Sequence, residues 1–178
     1  IADSSQYAMH DGYMNAKYSD MVKFAIMWEN ANSPKSSLEH FKEYIWNYWK
    51  EYYFSDPRYM TIENKPVLSV WTYADFKNFF GGVQGAKEAL EFMREDIKTL
   101  GFDGLIFLTK SSMEESEIGA DAGYFYHYSK EGYSADHQIN TLEGYKSSPF
   151  HAIPTLAMGH NGIGRYDYRV PIATMEDH

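Results

Sequence analysis

The feature that most constrains the fold is an alternation between short apolar runs and longer segments with helical spacing. Strand, helix and strand in this order require right-handed crossovers, which make the strands parallel. The chain is therefore predicted to be an α/β protein. Five apolar runs have the length of a buried strand: residues 22–28, 66–71, 104–109, 122–128 and 152–158.

Three amphipathic helices are predicted between these strands. The first begins where Ser36 and Glu39 have the capping-box spacing, and Asp56-Pro57 ends it. The second ends at Gly101, because glycine favours a left-handed helix end. A turn is predicted at residues 62–65, before the second strand. The helices cover residues 36–52, 85–100 and 135–145.

Two architectures fit this pattern, an open doubly wound sheet and a closed barrel. Doubly wound nucleotide-binding proteins carry a glycine-rich phosphate loop after a strand, but Gly159, Gly162 and Gly164 have the wrong spacing for it. The prediction is therefore a partial (β/α)₈ TIM-type barrel, with about five of the eight strands, in one incomplete domain over residues 1–178. Roughly three further βα units are expected outside this chain.

Composition and motifs exclude several classes of function. The net charge is −9 and basic patches are missing, so no nucleic-acid partner is predicted. The chain has no cysteine and no apolar stretch of roughly eighteen residues, so neither a thiolate nucleophile nor a transmembrane segment is predicted. No His or Asp/Asn residues have the spacing of a zinc or calcium site, so we predict no metal and no cofactor. The Gly-x-Ser-x-Gly motif is also missing, so serine-hydrolase chemistry is not predicted. The oligomeric state is left open.

Aromatic residues are unusually abundant, with 16 Tyr, 11 Phe and 4 Trp. Tyrosine and tryptophan combine a flat apolar face with a polar group, so they can stack on sugar rings and also bind sugar hydroxyls. Filling a core is the more common role for each such residue. Composition therefore leans toward a carbohydrate ligand without deciding it.

Candidate binding residues lie where predicted strands end, because active sites of barrels form at that edge. Glu29 is the only carboxylate immediately after a predicted strand. It either contacts a sugar or is a loop residue that is solvated or paired with an arginine. His127 is a sugar ligand or a packing residue, and Arg165 binds a sugar or pairs with Asp167. The predicted substrate-binding residues are Glu29, Asn30, Tyr73, His127, Asn161 and Arg165, while the catalytic residues are left unknown. Other strand-end residues are Asn32, Trp71, Thr109, Lys110, Tyr128 and His160.

Three segments, in this order and spacing, resemble a known family. They are residues 24–32, residues 53–59 with 65–68, and residues 153–155 with 159–165. Together they are similar to the glycoside hydrolase family 99-like domain, which is also described as a polysaccharide-biosynthesis glycosyltransferase family. Two departures stand out: Glu29 follows Trp28 where the family often has Trp-Ala-Asn-Glu, and His160 with Asn161 replaces a Trp-Asp pair.

The resemblance implies a barrel that acts on a glycan or polysaccharide. Its hydrolase branch cleaves internal α-mannosidic bonds with retention, using a pair of glutamates from a Glu-Trp element on the last strand. This chain has no such element, so it is interpreted as a segment of a retaining glycoside hydrolase that lacks the catalytic pair. The alternatives are a polysaccharide-biosynthesis glycosyltransferase and a non-catalytic glycan-binding or structural segment. Localisation is left open; glycan degradation favours a secreted, periplasmic or cell-surface protein.

Overall fold

The chain is organised around a parallel sheet of five strands. The computed structural model describes residues 7–31, 34–110, 115–124, 135–146, 151–153, 160–161 and 169–170. Its strands are β1 Ile26–Trp28, β2 Thr61–Ile62, β3 Lys65–Val70, β4 Ile106–Lys110, β5 Ala122–Tyr124, β6 Ala152–Ile153, β7 His160–Asn161 and β8 Arg169–Val170.

The parallel strands are neighbours in the order in which they occur along the chain, β1, β3, β4, β5 and β6. A doubly wound sheet reverses its strand order at a switch point, and no reversal occurs among these five strands. This order is the one that a barrel wall requires. The predicted α/β class with about five barrel strands is confirmed, and the sheet stays open within the described ranges.

Two antiparallel pairs accompany the parallel sheet. β2 pairs with β3 through a turn in which Glu63 and Asn64 have φ values of 48° and 56°. Two consecutive residues with positive φ are typical of the tight hairpin turn that matches strand twist, and this confirms the predicted turn. β7 pairs with β8 in a small sheet of its own. Residues 125–128 and 154–158, the later parts of two predicted strands, lie outside the described residues.

All three predicted helices are present, each within two residues of its predicted bounds. Helix α1 is a continuous helical segment over residues 38–54, and α- and π-helical turns alternate along it. Ser37 caps its start by accepting a hydrogen bond from the backbone N–H of His40 at 3.1 Å. Helix α3 covers Val83–Asp96 and continues as a 3₁₀ turn to Leu100, and Gly101 ends it with φ 87°. Helix α4 covers Ala135–Lys146.

Helix α2, Tyr73–Phe79, was not predicted from the sequence. The Thr72 hydroxyl caps it by accepting a hydrogen bond from the N–H of Asp75 at 3.3 Å. Gly85 allows α3 to begin close behind it, because a Cβ at that position would lie 1.9 Å from the Phe80 carbonyl oxygen. Further short elements are the π-helical Tyr7–Tyr13 and the 3₁₀ turns Ser19–Met21 and Glu115–Ile118.

One face of the sheet, here called the helix side, packs against α1, α2 and α3. Trp28 lies at its centre, with ring centroids of Phe79, Trp49 and Phe41 at 5.0, 5.5 and 5.7 Å. The contacts with Phe79 and Trp49 are edge-to-face and the contact with Phe41 is stacked, and both arrangements are favoured for aromatic pairs at these distances. Nine of the described aromatic residues are buried in this core: Phe41, Trp46, Trp49, Phe54, Tyr59, Tyr73, Phe76, Phe79 and Phe107.

The opposite face of the sheet, here called the open face, is concave. The Tyr124 hydroxyl of β5 lies 3.1 Å from the sulfur of Met27 in β1, although β3 and β4 separate the two strands. Three strand spacings amount to about 14 Å in a flat sheet, which is more than a tyrosine side chain spans. The sheet is therefore curved around its open face, as a barrel wall is. Within the described part of the chain, no helix is long and apolar enough to cross a membrane.

Candidate functional site

Strand alternation decides which side chains reach the open face. Leu68, Val70 and Phe107 belong to the helix-side core. The register aligns Met27, Ser69, Leu108 and Ala122 across four strands, so these residues share the open face. Met27 is 36% exposed, and the other three are partly exposed. This face is accessible while the helix side is closed.

At the carboxyl edge of the open face, two aromatic residues flank a cation. Lys110 ends β4, and its Nζ lies 3.6 Å from the ring centroid of Trp71, which follows β3 directly. Tyr124 is level with Lys110 on the next strand. A cation within about 6 Å of an indole ring is attracted by the negative face of the ring. We call Trp71, Lys110 and Tyr124 the edge cluster.

The backbone beside the edge cluster is held by Asn30, which is buried. Its Nδ2 donates to the Thr72 carbonyl at 2.7 Å, and its Oδ1 accepts from the Thr72 N–H at 2.9 Å. In addition, the Trp71 N–H donates to the Trp28 carbonyl at 2.9 Å. Asn30 was predicted as a sugar ligand, and the structure places both polar ends of its side chain on Thr72. It thereby fixes the loop that carries Trp71.

Tyr73, another predicted ligand, begins α2 and is 5% exposed. Its hydroxyl donates to Glu117, and Lys77 Nζ lies 3.0 Å from the same carboxylate and 4.4 Å from the Tyr73 ring centroid. The hydrogen bonds from Tyr73 and Lys77 lower the pKa of Glu117. Tyr73 therefore joins α2 to the turn before β5.

Of the other four predicted ligands, the structure describes Glu29 and Asn161. Glu29 is exposed directly after β1, at the same carboxyl edge as the edge cluster. Asn161 belongs to β7, where its backbone pairs with Arg169. His127 and Arg165 lie outside the described residues. The structure thus brings Glu29, Asn30 and Tyr73 to one edge, and sugar contact by all six residues stays a prediction.

Trp71 and Lys110 stood among the strand-end residues of the sequence but not among the six predicted ligands, and Tyr124 was not singled out. Tyr124 could have been found only from the strand register, which places it level with Lys110.

Partial burial lowers the pKa of the Lys110 ammonium. Thr109, also a strand-end residue, points to the helix side, where its buried hydroxyl has no hydrogen-bond partner in the described structure.

A separate cavity of about 410 Å³ lies at the opposite, amino-terminal edge of the sheet. Lys23, Asp56, Asn64 and Phe102 contribute to its lining. In barrels this end serves stability, whereas the carboxyl edge carries chemistry. Among the residues that the structure describes, no group of three or more His, Cys, Asp or Glu side chains is arranged to hold a metal ion.

The family model described as "Glycosyltransferase WbsX" matches residues 13–170 of this sequence. The chain belongs to the WbsX glycosyltransferase family. No curated protein and no solved structure matches it. Membership of the WbsX family gives the chain a carbohydrate-related function, as the sequence predicted, and confirms the resemblance at the level of a glycan-related family.

Proposed function

We propose that the WbsX-family chain binds a glycan along the carboxyl edge of its sheet, on the open face. The observation that carries this proposal is the edge cluster, in which Trp71 and Tyr124 flank Lys110 on three neighbouring strands. Aromatic faces provide the apolar contact that sugar rings need, and the nearby charge fixes orientation.

The predicted ligands have different roles in this proposal. Glu29 is exposed at the same edge and contacts sugar hydroxyls as a hydrogen-bond acceptor. Asn30 and Tyr73 act indirectly, by holding the Thr72 backbone and the start of α2 in place. His127, Asn161 and Arg165 are proposed as further ligand contacts because of the sequence motifs in which they occur.

The proposed reaction is retaining hydrolysis of α-linked, mannose-type glycans. It is supported by the resemblance of three segments to the family 99-like hydrolase domain. Retaining hydrolysis needs two carboxyl groups about 5–5.5 Å apart. Glu29 is not proposed as a member of this pair.

Glycosyl transfer is the second candidate, and the name of the WbsX glycosyltransferase family favours it. The two reactions differ in their donor. Hydrolysis releases reducing ends from an α-linked oligosaccharide and water, whereas transfer consumes a sugar nucleotide and lengthens an acceptor. Assaying the full-length protein with each donor separately decides between them, and a lack of turnover with both donors would reject both reactions while leaving glycan binding to be tested.

Glycan binding itself is tested by calorimetric titration of α-linked oligosaccharides. We expect Trp71→Ala to weaken binding about tenfold, because one stacking contact is lost. Tyr44→Ala is the matched control, since Tyr44 is an aromatic residue of α1, not of the sheet, and is 61% exposed. Equal affinities of Trp71→Ala and the wild type for every bound glycan would reject the proposed surface.

A further inference from the structure

Three of the lysines that the structure describes, Lys17, Lys42 and Lys110, lie over an aromatic ring and take part in no ion pair between described side chains. Lys110 is the one of these three that lies at the carboxyl edge of the open face. Six ion pairs connect described side chains, and they use the cations of Lys50, Arg58, Lys77, Arg94, Lys98 and Lys146. Lys110 is in none of these pairs, although the chain carries nine more acidic than basic charges. Glu29, an exposed carboxylate at the same edge, forms no ion pair with it.

The position of Lys110 is costly for a positive charge. The side chain is partly buried, and this burial lowers the pKa of its ammonium group. The Trp71 ring offsets part of that cost but does not neutralise the charge. Lys110 contacts the Trp71 ring and lies level with Tyr124, and among the residues that the structure describes it has no carboxylate partner. It is therefore well suited to an anion from outside.

We propose that the edge cluster binds an acidic sugar residue, whose carboxylate pairs with Lys110 while its ring lies against the flanking aromatic side chains. This inference rests on the proposed glycan-binding function and names the substrate class. A neutral sugar would gain the aromatic contact but leave the ammonium unpaired. An acidic sugar gains both interactions, so the site discriminates by charge.

The test compares α-linked oligouronides with the same oligosaccharides after carboxyl reduction, which removes the charge and keeps the linkage. We expect the wild-type protein to prefer the acidic form by about tenfold, as for one charge-assisted hydrogen bond. This preference should decrease as salt is added, because the pair is only partly buried.

Three variants separate charge from structure. Lys110→Met keeps the approximate length of the side chain and is expected to abolish the acidic preference while the neutral form still binds. Lys110→Arg keeps the charge and should retain the preference. Lys42→Met is the matched control, since Lys42 Nζ also lies over an aromatic ring, 4.3 Å from the centroid of Phe92, but on the helix side of the molecule. It should leave the preference unchanged.

The possible results distinguish this inference from the proposed function. Equal binding of the acidic and reduced oligosaccharides overturns the inference and leaves glycan binding intact. An equal loss of both in Lys110→Met also overturns it, because Lys110 would then only support Trp71. If only neutral glycans of a wider panel bind, the acidic specificity fails alone. If no glycan binds at all, the inference and the proposed function fail together.

Discussion

The two faces of one sheet use aromatic residues in opposite ways. On the helix side, Trp28 is surrounded by the rings of Phe41, Trp49 and Phe79. On the open face, Trp71 lies at an accessible edge beneath the ammonium group of Lys110. The backbones of the two tryptophans are joined directly, since the Trp71 N–H donates to the Trp28 carbonyl. The difference between them is therefore one of side-chain direction.

This comparison shows what the high aromatic content means. Most of the described aromatic residues fill the helix-side core, where area burial and edge-to-face contacts contribute stability. An argument for sugar binding cannot rest on their number. It rests on the few aromatic residues that strand alternation directs to the open face, and chiefly on Trp71 and Tyr124.

The largest expected effect separates the two tryptophans. Trp28→Ala should lower the free energy of unfolding by about 3 kcal/mol or more, because it leaves a cavity among packed rings. Trp71→Ala should cost about 1 kcal/mol, since it removes mainly a cation–π contact. Denaturant unfolding of both variants measures the difference. Similar losses in the two variants would contradict the division into a structural face and a binding face.

Asn30→Ala tests how much the hydrogen bonds from Asn30 to the Thr72 backbone, next to Trp71, contribute to stability. Removing this amide leaves the Thr72 N–H without its partner, while the Thr72 carbonyl keeps the hydrogen bond from the Phe76 N–H, so we expect a loss of about 1–2 kcal/mol in unfolding free energy. Asn78→Ala is the control, because Asn78 is an exposed residue of α2 and should change stability by less than about 0.5 kcal/mol. A weakened glycan affinity without any loss of stability would instead favour direct contact between Asn30 and sugar.

Thr109→Val tests whether the buried hydroxyl of Thr109 destabilises the helix-side core. The Thr109 hydroxyl is buried without a hydrogen-bond partner in the described structure, and replacing it with a methyl group should raise the unfolding free energy by about 1 kcal/mol. Thr61→Val, at an exposed position of β2, should leave stability nearly unchanged. A lower melting temperature for Thr109→Val would show that the hydroxyl is needed.

The smallest effect concerns acid stability of the helix side. Burial opposes ionisation of Asp96, but hydrogen bonds from Lys50 and Trp46 outweigh it, so its pKa is lowered. A lowered pKa in the folded state adds stability above the unfolded value of about 4, and this stability is lost as the pH falls below it.

Asp96→Asn should remove this part of the pH dependence, as followed by melting temperature between pH 6 and pH 2. Glu95→Gln is the control and should keep the wild-type slope, because the side chain of Glu95, the residue next to Asp96, is 73% exposed. An unchanged slope in Asp96→Asn would place the acid-sensitive group elsewhere in the chain.

The sequence predicted those parts of the fold that depend on local patterns. Apolar runs located the strands, and Gly101 marked the end of α3 because its left-handed conformation suits glycine. Helix α2 was missed because seven residues are too few to show a clear helical period of apolar residues. The one local indication of this helix is Thr72, which caps its start. β1 is shorter than the predicted run at residues 22–28, and Phe24 forms only an isolated bridge with Tyr59.

The candidate site was harder to predict, because it depends on contacts between strands. Lys110 and Trp71 are far apart in sequence, and their contact follows from the register of β3 with β4. A shift of β4 by one residue would turn Lys110 to the helix side and break this contact. Asn30 illustrates the same limit, since a polar residue after a strand can face a ligand or hold a neighbouring loop. Its two hydrogen bonds to Thr72 show that it holds this loop, and its contact with sugar stays a prediction.

The most direct test of the central claim is fluorine NMR of the protein labelled with fluorotryptophan. The chain has four tryptophans, and Trp28, Trp46 and Trp49 lie on the helix side while Trp71 lies at the open edge. Trp71→Phe assigns the fourth signal. Titration with a bound α-linked oligosaccharide is predicted to shift the Trp71 signal and leave the other three in place. A saturable shift confined to Trp28, Trp46 or Trp49 would contradict glycan binding at this edge.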